Sequence, residues 1–387
     1  MVITIIMNLR QTVNYLFISI FIVGFTHCQK KEADNLPEMI GPYVQSMTQN
    51  EVTLCWSTMI GTTQIRVGDS IIHKVNQYSN HKSVITRLKP NTTYSYDVLN
   101  DGTDWGKGTF TTFPDSIQAF HFAVLGDTRT RHSVHQTIVN RIIEENPLFV
   151  INTGDLVSQG NNMNDWEHFF RINDSLIRHV PYYTVLGNHE QDSENYYDFF
   201  SLPGNESYYF FSVGDALFII LDMEGPDYET PEYLQGESRN AFWTDISKKY
   251  FEEEKEWLEN ILNLNNDAGY IFVFFHPTYY SIKKSRVADA ELRREFWGDV
   301  FERHDVTAVL NGHDHYYHHA ENRGTHYIVT GGGGAPLYAT DSIQAETVAY
   351  KKIEHYVRVN VGIDNTSLEA IDINGDLIEE IIVERRK

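Results

Sequence analysis

In residues 51–57, Val52, Leu54 and Trp56 alternate with Thr53, Cys55 and Ser57, the period of a half-buried strand. Short runs of similar character occupy 64–67, 83–88, 93–99 and 108–113. Turn residues Lys89-Pro90-Asn91 and Asn100-Asp101-Gly102 fall between them. This pattern predicts a small all-β sandwich over residues 40–115. After Pro114 the period changes. Apolar runs at 120–125, 148–152, 182–186, 270–275 and 306–310 alternate with amphipathic stretches at 132–145, 165–178, 242–263 and 288–303. Such alternation predicts α/β layering over residues 118–387.

The amino terminus carries a different signal. Residues 16–25 form an apolar run preceded by Arg10 and followed by Thr26-His27-Cys28. A bilayer-spanning helix needs about 20 apolar residues, so this run reads as the core of a signal peptide over 1–27. Cys28 resembles a bacterial lipoprotein cleavage site, although His27 stands where such sites carry a small residue. The expected outcome is an exported chain anchored to a membrane by lipid at Cys28, with plain secretion as the alternative. Residues 28–39 then form a polar tether. Cys55 is the other cysteine of two, and it reads as a structural residue of its strand.

Charge narrows the partners. With 31 Lys and Arg against 53 Asp and Glu, the formal net charge is −22, which argues against a nucleic-acid-binding surface. A small phosphorylated substrate stays compatible, because bound metal ions can meet its charge. The acidic surface suits a monomer in solution.

The chemistry lies in the polar motifs that end each apolar run of the second region. Gly126-Asp127-Thr128-Arg129 comes after the first, and Gly154-Asp155, with Gly160 beyond, after the second. Gly187-Asn188-His189-Glu190 comes after the third, His276-Pro277 after the fourth, and Asn311-Gly312-His313-Asp314-His315 after the fifth. Each motif alone reads as a turn or a core histidine. Together, all at the carboxyl ends of strands, they converge on one edge, where α/β folds bind ligands. Asp127 and Asp155 offer anionic oxygen, Asn188 a neutral oxygen, and His276, His313 and His315 neutral nitrogen. Two metals roughly 3.5–4 Å apart clamp a phosphoryl group and lower the pKa of a bridging water. Mixed oxygen and nitrogen ligation suits Fe, Mn, Zn or Co. His189, beside a ligand, is placed to donate a proton to a leaving alcohol or to orient the phosphate.

The ordered set GD, GD(x4)G, GNHE, H and GHDH resembles the calcineurin-like metallophosphoesterase superfamily. Two further features look most like its purple acid phosphatase branch. One is the Leu88-x-Pro90-x-Thr92-x-Tyr94 segment, similar to a fibronectin type III module; the other is the glycine run Gly331–Gly334 before Ala335-Pro336. The resemblance implies a four-layer α/β/β/α sandwich, with a hairpin at 208–222 and tail strands near 355–361 and 378–384. It implies that Asp155 bridges two metals, that Asp127 and His315 bind the first, and that Asn188, His276 and His313 bind the second. His189 would be the catalytic histidine. Two positions depart from the pattern. Arg129 stands where many relatives have a histidine ligand, and Ser158 where purple acid phosphatases have a tyrosine. The first metal is thus expected to lack one protein ligand, which His132 and His135 are poorly placed to supply. Arg129 is read either as a group holding the substrate phosphate or as an arginine paired to a nearby carboxylate. The implied activity is hydrolysis of phosphate esters, monoesters before diesters, by a metal-bound hydroxide. The alternative is a surface lipoprotein that keeps the fold for binding after losing the first metal.

Overall fold

The computed structural model describes residues 39–67, 70–100, 103–225, 245–340 and 342–387. The proposed leader, Cys28 and most of the tether lie outside them. Among the described residues no helix is long and apolar enough to cross a membrane.

The amino-terminal region is all β. Strands β1 (Met39–Gln45), β2 (Glu51–Val67) and β3 (Ser70–Thr86) form one antiparallel sheet, and β4 (Thr93–Asn100) and β5 (Thr103–Thr111) form a second. The separate runs expected at 51–57 and 64–67 are one strand here. Residues 58–63 interrupt the alternation between them, but the backbone ladder of β2 with β3 carries through. This region is tied to the rest by buried polar contacts. Tyr43 Oη donates to the Phe199 carbonyl at 2.6 Å, and Gln45 Nε2 donates to the Tyr182 carbonyl at 2.9 Å. Cys55 is buried without a disulfide, and burial pushes its thiol up to about 12. Such a thiol stays protonated and unreactive, as a structural role requires.

The second region opens with β6 (Phe120–Leu125), α1 (His132–Glu145), β7 (Val150–Asn152), α2 (Met163–Ile177), β8 (Tyr182–Thr184) and the short α3 (Glu194–Phe199). An antiparallel pair follows, β9 (Tyr209–Val213) and β10 (Ala216–Ile220), then α4 (Asp245–Leu264) and β11 (Tyr270–Phe275). Next come α5 (Val287–Trp297), α6 (Val300–Arg303), β12 (Ala308–Asn311), β13 (Tyr317–Asn322), β14 (Thr325–Thr330) and β15 (Thr347–Lys351). The stretch at 288–303, expected as one helix, is two, because Gly298 turns the chain at φ +65°. Strands β16 (His355–Val361), β17 (Asn365–Asp372) and β18 (Leu377–Glu384) complete the chain.

Two sheets result. One runs β18-β17-β16-β6-β7-β8 and the other β15-β13-β14-β12-β11-β10-β9. Strand alternation explains how they stack. In β11, Tyr270, Phe272 and Phe274 face the core between the sheets, while Ile271, Val273 and Phe275 face a second core under α4 and α5. Phe218 and Phe272 of one sheet meet Phe122 of the other with ring centroids 5.2 and 5.5 Å apart. Helices α1 and α2 cover the outer face of the first sheet through Ile138, Val139, Ile142, Phe169 and Leu176. The architecture is the four-layer α/β/β/α sandwich.

His135 lies buried between α1 and α2, where Asn173 Nδ2 donates to its Nε2 at 3.3 Å. Burial, with the charge of His132 beside it, pushes its pKa from 6.5 down to about 3. The folded state therefore binds this proton less readily than the unfolded chain, and stability falls as pH drops below 6.5. By pH 5 this one residue costs about 2 kcal/mol. His135→Gln is expected to flatten the dependence of melting temperature on pH in that window. Buried His318 and His355, both lowered to about 4, add to the slope. An unchanged slope in the variant would remove His135 from the acid response.

Candidate metal centre

The five motifs come from two sheets. Motifs after β6, β7 and β8 belong to one, and those after β11 and β12 to the other; they meet where the edges of the two sheets abut. The chain leaves its strands abruptly there. Asp127, Asp155 and His313 all have positive φ, at 56°, 57° and 69°. For residues other than glycine this conformation is uncommon and concentrates at functional sites. The glycines make room. A Cβ on Gly154, itself at φ +97°, would sit 2.6 Å from His276 Nδ1, and one on Gly160 would sit 1.8 Å from the Glu190 carbonyl oxygen. The glycine run after β14 lies across the first motif, with Gly333 N donating to the Gly126 carbonyl and Ala335 N to that of Asp127.

All six residues read as ligands converge. Asn188 Oδ1 lies 3.0 Å from His313 Nδ1 and 3.3 Å from His276 Nε2, and the two ring nitrogens are 3.2 Å apart. His276 Nε2 is also 3.3 Å from Asp155 Oδ1. On the other side, His315 Nε2 lies 3.2 Å from Asp127 Oδ1. Ligand atoms of Asp127, Asp155 and His315 fall within 4.8 Å of one another. Asp155 touches both groups.

Proton placement tests whether these atoms suit a cation. A carbonyl can only accept, so the contacts of His276 Nδ1 with the Thr153 carbonyl at 2.8 Å and of His315 Nδ1 with the Pro336 carbonyl at 2.7 Å put N–H on both Nδ1 atoms. In the neutral rings each Nε2 then presents a lone pair to the centre. Asp127 Oδ1 is buried with no hydrogen-bond partner among the described residues. Oxygen and nitrogen lone pairs that face one another in a buried site need positive charge between them. The donor set fits metal ions, and the ligands nominated from sequence are the residues that would hold them. Burial and the charge of Arg286 hold His313 well below the ordinary imidazole range, which favours its neutral form, whereas, against its burial, the charges of Asp155 and Asp127 push His276 up.

His189 and Arg129 flank the centre. His189 Nδ1 donates to the Ser158 carbonyl at 2.7 Å, which turns Nε2 towards Asp155 Oδ2 at 3.8 Å. Arg129 Nε donates to the same Asp155 Oδ2 at 3.1 Å. Arg129 is thus paired with a carboxylate, and its side chain is 16% exposed at the rim. Neither His132 nor His135 reaches the centre: the first stacks on His168 with centroids 4.7 Å apart, and the second bonds Asn173.

Sequence reasoning left out three contributors. Glu190, of the GNHE motif, accepts from the backbone N–H of Gly187 and Asp155 on Oε2 and of Leu156 and Val157 on Oε1. Burial and the charge of Asp155 push it up to about 8, against His276 and the backbone donors that favour its ionised form. Glu224 brings its carboxylate within 4.8 Å of the ring nitrogens of His276 and His313, and burial pushes it up to about 7. Tyr338 stacks on His315 at 4.2 Å, under Lys283 Nζ at 3.7 Å from its ring. Only Glu190 had a signal, its place in the motif.

The comparisons with known proteins agree with this geometry. A family model described as calcineurin-like phosphoesterase matches residues 120–317. An uncharacterized protein of Mycobacterium tuberculosis is 24% identical over an alignment covering 73% of this chain and 67% of that protein. Purple acid phosphatase 15 of Arabidopsis thaliana is 25% identical, over 66% of this chain and 53% of its own length. Among solved structures, purple acid phosphatase PPD1 from seeds of yellow lupin (Lupinus luteus) shares the fold. Its TM-score is 0.70 at 17% identity, covering 89% of this chain and 74% of that one.

Proposed function

The chain belongs to the calcineurin-like phosphoesterase family, and we propose that it hydrolyses small phosphate esters, monoesters before diesters, at a centre of two transition-metal ions. The observation that carries this reading is the pair of opposed lone-pair clusters sharing Asp155. When bound, the two ions neutralise phosphoryl oxygens and acidify the attacking water. Asp127 and His315 would hold one, and Asn188, His276 and His313 the other. The phosphatase names of its relatives support monoesters. Export, with a lipid at Cys28 tethering a monomeric body to a membrane, belongs to the same proposal, and a net charge of −22 speaks against nucleic acid as a partner.

The other residues have separable tasks. His189 Nε2 lies beside the centre, on a side chain 28% exposed; with Nδ1–H held by the Ser158 carbonyl, the imidazolium form carries the Nε2 proton that passes to the leaving alcohol. The guanidinium of Arg129 sits at the mouth, where its planar fork suits a phosphate oxyanion. Replacing His189→Ala is expected to lower kcat on an aryl phosphate roughly 10²–10⁴-fold with metal content unchanged. Loss of metal, or an unaffected kcat, would rule out the proton-donor role.

One observation favours a second reading. The Arg129 cation is already on Asp155 Oδ2, the oxygen a first metal would need, as in a chain that binds phosphorylated ligands without turning them over. Metal content measured beside turnover of an aryl phosphate and an aryl phosphodiester separates the two. Chelator-sensitive turnover supports the enzyme and its preferred ester; no turnover after Mn, Zn or Fe is restored supports binding alone.

A further inference from the structure

We infer that Glu224 is a fifth protein ligand of the second metal position, and that this half of the centre is the tight one while the first half is exchangeable. The inference rests on the metal-centre reading above and extends it to a residue outside the five motifs.

Glu224 is delivered by the strand next to His276. Strands β10 and β11 run parallel with Ile220 opposite Phe274, and Leu221 N still donates to the Phe274 carbonyl. The chain beyond β10 therefore passes over the edge alongside His276. Asp222 fixes that passage. Its Oδ1 accepts from Glu224 N at 3.3 Å and Gly225 N at 3.2 Å, and its Oδ2 accepts from Tyr250 Oη at 2.8 Å. Among the described residues the turn is held by Asp222 and by backbone, without the Glu224 carboxylate.

That carboxylate faces the metal donors. One of its oxygens and the ring nitrogens of His276 and His313 all lie within 4.8 Å of one another. Glu224 Oε1 is buried and has no hydrogen-bond partner among the described residues. Arg293 is the neighbouring cation that attracts Glu224, and its Nη1 donates to the Thr278 carbonyl at 2.6 Å. A buried carboxylate with an unbonded oxygen, lying against two imidazoles of the donor set, is a costly arrangement that a cation resolves.

Adding Glu224 widens the difference between the two halves from four donors against three to five against three. The second offers Asp155, Asn188, His276, His313 and Glu224. The first offers Asp127, Asp155 and His315. Each half then faces two carboxylates, so charge does not separate them; donor number does. Arg129 acts in the same direction, because its positive charge, 3.1 Å from Asp155 Oδ2, repels an ion in the first half.

The test is a calorimetric titration of metal-free protein with Mn²⁺, run on the wild type, Glu224→Gln and His315→Asn. The wild type is expected to bind in two steps. Glu224→Gln should weaken the tighter step about 10- to 100-fold and leave the weaker one alone; His315→Asn should do the reverse. The melting temperature of metal-free Glu224→Gln should not fall below that of the wild type. Two unchanged steps in Glu224→Gln would overturn the inference, as would equal weakening of both with a lower metal-free melting temperature, the mark of a purely structural pair with Arg293. A wild type that takes up no Mn²⁺ would overturn the metal-centre reading itself, a failure visible before any variant is compared.

Discussion

Asp155→Asn is expected to lower turnover of an aryl phosphate roughly 10³-fold or more and to strip the centre of both metals. The residue touches every part of the site. Its Oδ1 is 3.3 Å from His276 Nε2, while Oδ2 lies 3.1 Å from Arg129 Nε and 3.8 Å from His189 Nε2. An asparagine keeps the volume, and its backbone N–H still reaches Glu190. The amide offers one oxygen and one NH₂ group, however. With the NH₂ towards His276, it donates to the lone pair that a metal needs and closes the second half. With the NH₂ towards Arg129, two donors oppose each other at the rim of the site. Neither orientation leaves a bridge. Metal analysis alongside turnover checks this. A variant that keeps two metals, or more than about a tenth of wild-type turnover, would show that Asp155 is no bridging ligand.

The convergence of the six residues read as ligands was legible because each motif follows an apolar run. The run marks a strand and its end marks the sheet edge; one polar motif there reads as a turn, but five at one edge read as a site. What the sequence could not reveal is which sheet each strand joins. Runs at 120–125 and 270–275 look alike, yet β6 and β11 belong to different layers. Pairing is set by contacts between distant segments, not by local period. The long β2–β3 ladder was missed for a related reason. Polar side chains blur the alternation, while the ladder depends on backbone groups common to every residue. Glu224 shows the limit most clearly. It stands four residues past β10 in no motif, and only the parallel register of β10 with β11 brings it beside His276. Arg129 was legible as a departure, but its partner was not, because that partner lies 26 positions away on the next loop.

Glu190 carries the second large effect, and on stability as much as on activity. Its two oxygens accept from four backbone N–H groups at 2.8–3.3 Å, and these belong to both the GD(x4)G and the GNHE loops. The same two loops meet again where Gly160 N donates to the His189 carbonyl. A proton on Glu190 would face donors on every side, so the ionised form is the one these bonds fit, despite the burial that pushes the pKa up. Glu190→Gln is nearly isosteric but turns one acceptor oxygen into an NH₂ group, leaving two buried N–H groups without a partner. At about 1–3 kcal/mol for each such group, the expected loss of stability is about 3–5 kcal/mol. Because the released loops carry Asp155, Asn188 and His189, affinity for metal should fall with it. Denaturant unfolding of metal-free protein at neutral pH separates the two effects. A cost below about 1 kcal/mol would mean that Glu190 is protonated in the fold, since a neutral acid and an amide would then be nearly equivalent. A full cost with unaltered metal binding would mean that the ligands hold their places without the carboxylate that joins their loops.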